Sequence, residues 1–152
     1  YELSFIKEAL FRRNVPASRN WIDLASIAFR LDRWEEGLYY LEQTDEPSAS
    51  CDFYKGLYLL KAGRFDEAGK WFCSVMDKDA NNAAAINNYA GCLWMLGKKE
   101  EAARLFKELT RRWPAYMDAA RNLQLAMSEN EDPSAVKFTW RELRGVLTVY
   151  EK

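Results

Sequence analysis

The sequence predicts an all-α solenoid of antiparallel helix pairs, about nine helices with no strand, and three observations carry that prediction. Gly97 lies 34 residues after Gly63, and the punctuation around both glycines repeats at that interval: Ala102 falls on Ala68, Phe106 on Phe72 and Ala90 on Gly56. A period of this length marks stacked units, each too small to bury its own apolar faces. Small residues (Gly37, Gly56, Ala68, Ala90, Ala102) alternate in order with bulky Leu41, Phe72 and Phe106, the pattern that close helix crossings require. Gly63 and Gly97 break the paired apolar runs, and Pro114 closes the most regular one.

Taken in order, Leu3 to Arg13 places Leu3, Phe5, Ile6, Ala9 and Leu10 on a helical period, and Asn14 to Pro16 ends it. Ser18 is positioned to cap a helix over Asn20–Leu31 whose inner stripe is Trp21, Leu24, Ala25 and Ala28. Asp32-Arg33 turns the chain into a return helix from Trp34 to Leu41, and Gln43 to Ser50 is a loop around Pro47. The second pair joins Cys51–Lys61 to Phe65–Met76 through Gly63, and the third joins Asn82–Leu96 to Lys99–Arg112 through Gly97. Tyr116 to Met127 starts a fourth unit. After the polar loop Ser128–Asp132, Asp132 and Pro133 suit the start of a final helix to about Tyr150. Its Val136, Trp140, Leu143, Leu147 and Tyr150 would form one apolar seam covering the open end of the stack.

Composition narrows the function. With no histidine in 152 residues, a Ser-His-Asp triad, a Cys-His pair and an imidazole metal ligand are all excluded. No phosphate-binding glycine loop is present, and Asp and Glu sit mostly at polar helix positions beside Lys or Arg, so no enzyme and no cofactor is expected. Cys51, Cys73 and Cys92 are odd in number and widely spaced, which fits buried thiols in a reducing, cytoplasmic compartment rather than a zinc site or a disulfide framework. The net charge of −1 speaks against a nucleic-acid partner, and no apolar run approaches a membrane span.

The residues from Ala83 onward, Ile86, Tyr89, Ala90, Leu93, Ala102, Phe106 and Pro114, resemble the tetratricopeptide repeat at its characteristic slots. The units starting at Ser18 and Ala49 resemble it less closely: the first is three residues short, and Asp52 and Lys55 stand where apolar residues are usual. The resemblance implies a right-handed superhelix in one domain spanning 1–152. It divides into an N-terminal helix (1–16), repeats at 18–48, 49–82 and 83–116, a partial repeat at 117–128 and a capping helix at 132–152.

The resemblance also implies a concave face lined by the first helix of each pair and serving protein partners. Transferred slot by slot, its peptide-binding residues are Phe53, Tyr54, Leu57, Asn87, Asn88, Trp94, Arg121 and Asn122. Asn87, Asn88 and Asn122 can each donate and accept, which suits gripping the main chain of an extended peptide. Phe53, Tyr54 and Trp94 offer rigid apolar area, and Arg121 offers a carboxylate partner. The carboxylate clamp by which some members hold the acidic C-termini of heat-shock chaperones is missing, since its slots hold Phe53, Leu57, Asn88, Asp118 and Asn122. The expected role is a non-catalytic adaptor that binds a peptide or helical segment of a protein partner. Two alternatives stand beside it: self-association through the terminal helices with Phe138, Trp140 and Tyr150 partly exposed, and a dedicated chaperone for a secreted or unstable client.

Overall fold

A computed structural model of the protein describes residues 2–128 and 132–143, and among these residues it contains eight α-helices and no strand. They are α1 (Glu2–Phe11), α2 (Ala17–Arg30), α3 (Trp34–Glu42), α4 (Ala49–Lys61), α5 (Phe65–Lys78), α6 (Ala83–Met95), α7 (Lys99–Arg112) and α8 (Met117–Met127). Helices α2/α3, α4/α5 and α6/α7 form three pairs; α8 begins a fourth and α1 packs on α2. Pairs meet through α3 on α4, α5 on α6 and α7 on α8, while α2 touches α4 and α6 touches α8. This is the expected solenoid.

Its turns repeat because one local geometry recurs. Gly63 and Gly97 take positive φ (76° and 84°), and Asp32 takes φ 62° at the matching place in the first pair. Aspartate is among the few side chains that tolerate this region. Beyond each, a backbone N–H reaches back to close the helix: Arg33 to the Ala28 carbonyl, Arg64 to Leu59 and Lys98 to Leu93, all at 2.8–2.9 Å. These Schellman closures satisfy carbonyls that a helix end otherwise leaves unpaired. Ser48 and Asn82 cap α4 and α6 by accepting from the N–H groups of Cys51 and Ala85. The expected cap at Ser18 is not used: α2 starts one residue earlier, at Ala17, with Pro16 setting the entry angle.

The small-into-large pattern is realised in the core. Leu41, Phe72 and Phe106 are fully buried, as are Ala68, Ala90 and Ala102. A Cβ on Gly56 would come within 2.7 Å of the Phe72 ring, so the approach of α4 to α5 depends on that glycine. Asp52, unexpected in an apolar slot, is buried and accepts from the Ser74 hydroxyl (2.7 Å) and the Lys78 ammonium (2.5 Å), replacing an apolar contact between α4 and α5 by a polar one. Lys55 lies over the Trp71 ring at 4.8 Å, spending its stem and charge on an aromatic face.

The capping helix expected over 132–152 does not form in its described part. Pro133–Ala135 make a single 3₁₀ turn, and residues 136–143 carry no helix; 144–152, with Leu147 and Tyr150, lie outside the described residues. Spacings of four and three fit a helix, yet V-K-F-T-W is rich in the β-branched and aromatic residues that favour a strand-like path. The main-chain groups of this segment are bonded by side chains of α6 and α8, which removes the incentive to coil.

Candidate functional site: an asparagine-lined peptide groove

Helix α6 sits at the centre of the stack and buries eleven of its 13 residues, more sides than two neighbouring pairs can cover. The remaining face, shared with α8, is covered by residues 136–140. Three asparagines with no exposed surface meet this segment: Asn87, Asn88 and Asn122. Asn122 takes both main-chain groups of Lys137, its Oδ1 accepting from the N–H (2.7 Å) and its Nδ2 donating to the C=O (2.8 Å). Asn88 does the same to Thr139, accepting at 2.8 Å and donating at 2.9 Å. Asn87 links the two, donating to the Lys137 carbonyl at 3.0 Å and accepting from Asn122 Nδ2 at 2.9 Å.

The gripped residues are two apart, the spacing at which a strand presents its main chain to one neighbour. The gripping residues Asn88 and Asn122 are 34 apart, so the repeat itself delivers the same amide to successive positions. Each carboxamide acts as one rung of a β-ladder.

Side chains of the segment are received as well. Phe138 lies on Gly91, where a Cβ would stand 2.4 Å from its ring, and stacks on Phe65 with centroids 6.2 Å apart. Trp140 meets the edge of Trp34 at 5.9 Å. The Thr139 hydroxyl donates to Asp118 (2.8 Å) and lies against the Tyr116 hydroxyl and Asn87 Nδ2. One donor and two acceptor sites exhaust what a hydroxyl offers. Burial raises the Tyr116 phenol pKa above its ordinary value, so it stays protonated and available to donate. Further along, Glu142 accepts from Ser50 at 2.5 Å and lies 3.8 Å from Arg19.

Of the eight residues expected on this face, the structure brings the three asparagines together on one segment. Tyr54 is buried against Phe29 and borders an open hollow of about 510 Å³ that Arg141, Glu142 and Leu143 also line. Phe53 and Leu57 have no exposed surface and belong to the core against which Phe138 and Leu143 pack. Trp94 is buried in the neighbouring core with Lys99 over its ring, and Arg121 is exposed. Gly91, Phe65, Trp34 and Tyr116 were not expected here. Gly91 had a signal: a glycine inside a helix costs about 1 kcal/mol relative to alanine and needs a reason to be there.

Residues 59–127 match the family model described as tetratricopeptide repeat. These are tetratricopeptide repeats. The matched stretch runs from the last turn of α4 to the end of α8, so it contains all three asparagines and Gly91. Tetratricopeptide repeats generally mediate protein–protein interactions and typically lack catalytic activity. No curated relative matches the chain. Among the described residues there is no group of side chains able to hold a metal ion, and no helix is long and apolar enough to cross a membrane.

Proposed function

We propose that this protein is a non-catalytic interaction module whose tetratricopeptide groove holds an extended segment of a protein partner by its main chain. The observation that carries the reading is the paired asparagine grip: Asn122 and Asn88 each take the N–H and the C=O of one residue, two residues apart. That geometry reads backbone, which supports a strand-like partner segment rather than a helical one. Phe138 and Trp140, which supported self-association through the terminal helices, are engaged by the groove of their own chain. The three cysteines are free thiols, Cys51 and Cys92 buried, which supports a reducing compartment such as the cytoplasm.

Affinity capture from native lysate with the full chain and with its Asn88→Ala/Asn122→Ala variant tests the proposal. A partner retained by the wild type and lost by the variant, with helical circular dichroism unchanged, is the expected result. Equal capture by both chains rejects the groove as the binding site.

A further inference from the structure

The segment in the groove is the chain's own, and its manner of binding is that of a ligand. It contributes no helix to the stack, and the pairs contact one another directly without it. Among the described residues its main chain is held by side chains of α6 and α8, and Trp140 keeps 44% of its surface exposed. Taking it away would open three carboxamides and the apolar surface over Gly91 and Phe65 to water. A vacated groove therefore favours any strand-like segment that covers that surface and bonds the amides again.

We infer that residues 136–143 are an exchangeable internal occupant, and that partners displace them with a segment of the same chemistry. That chemistry is an aromatic residue, a serine or threonine, a second aromatic, any residue, then an acid. The inference rests on the peptide-binding reading above and adds what the peptide must carry. Each position has its receiver: Gly91 and Phe65 for the first ring, Asp118 and Tyr116 for the hydroxyl, Trp34 for the second ring, Ser50 and Arg19 for the carboxylate. The alternate main-chain grips fix the register, so side chains between and beyond them are read at set intervals. Only eight residues, 128–135, connect this occupant to α8. Such a short tether gives an effective concentration in roughly the millimolar range, which a free partner must outcompete.

The test uses a fluorescent synthetic peptide of residues 132–143 titrated into the full chain. The second titrand is Phe138→Ala/Trp140→Ala, whose own segment has lost both rings while the groove is intact. A third, Thr139→Glu, drives its segment out by setting a carboxylate against Asp118 and stands in if the double variant folds poorly. Both variants are expected to bind the peptide at least tenfold more tightly than the wild type. Peptides with alanine for the first aromatic or lysine for the acid are expected to compete at least tenfold less well. Equal affinity for all three chains overturns the internal competition and leaves the main-chain grip standing. Competition indifferent to the aromatic overturns the sequence pattern. A wild-type dimer that exchanges the segment between copies, seen by sedimentation, overturns the intramolecular arrangement. Failure of the peptide to bind any chain also overturns the inference, while the capture experiment still decides the role of the groove toward partners, so the two readings fail separately.

Discussion

Truncating Asn122 to alanine should loosen residues 136–143 without unfolding the stack, and the structure sets the size of the effect. The side chain makes three hydrogen bonds, two to Lys137 and one to Asn87, and has no exposed surface. The Lys137 carbonyl keeps its bond from Asn87, whereas the Lys137 N–H and Asn87 Oδ1 lose theirs. The Asn87 bond joins α8 to α6 and outlasts the departure of the segment, so only the two Lys137 bonds count toward its opening. At about 1 kcal/mol net for each, local opening becomes easier by about 2 kcal/mol. That is roughly thirtyfold in the opening equilibrium, since about 1.4 kcal/mol is tenfold. The loss is bounded by the docking free energy of the segment, because once it leaves, water reaches the orphaned groups. Native-state hydrogen exchange at the Lys137 and Thr139 amides reads it directly: both should lose about thirtyfold protection, while amides inside α4–α7 change little. Asn88→Ala also removes two bonds to the segment, both at Thr139, and should cost about as much. Unchanged protection at both amides, or a loss spread evenly through the helices, would refute the reasoning.

Gly37→Ala sets a Cβ about 2.2 Å from the Phe29 ring, so it should destabilise by about 1–3 kcal/mol in a denaturant melt, although the same exchange on an exposed helix stabilises. Burial pushes the Asp23 carboxyl up, but the hydrogen bonds and charges of Arg13 and Arg19 outweigh it and hold the carboxyl below its ordinary range. A depressed folded value means stability that is present above about pH 4 and fades as pH falls through the folded pKa. Asp23→Asn should therefore flatten the acid limb of a stability–pH profile; an unaltered limb would count against the ion pairs of Asp23, one within α2 and one to Arg13 in the turn after α1. The Cys92 thiol is pushed up to about 12 by burial and the neighbouring Cys73, so iodoacetamide at pH 8 should modify it only as fast as the protein opens. Labelling of Cys92 at the rate of a free thiol would contradict its placement.

How much of this could be read along the chain differs from element to element. Gly63 and Gly97 announced their turns, because almost only glycine enters that backbone region at no cost, and Asp32 was recognisable as the equivalent turn without it. The small residues facing Phe72 and Phe106 declared the pairing for the same kind of reason: bulk on one helix demands absence of bulk on its neighbour. The asparagines were legible as amides able to donate and accept along a main chain, and the main chain they take here is that of Lys137 and Thr139.

The segment from Val136 to Leu143 forms no helix, although its sequence predicts one. Its apolar spacing satisfies a helical period, and nothing local tells whether its N–H and C=O groups will bond to each other or to something else. That choice belongs to Asn88 and Asn122, roughly 50 and 15 residues away in sequence, through bonds between positions that only the folded stack brings together. Gly91 shows the same division, since its helix placement is local but the ring that fills its missing Cβ arrives from Phe138. Short-range backbone preferences and a fixed repeat are written in the order of residues, and they determined the solenoid. Which surface of that solenoid is covered, and by what, was decided by competition among distant hydrogen-bonding partners, and that competition has an outcome only in three dimensions.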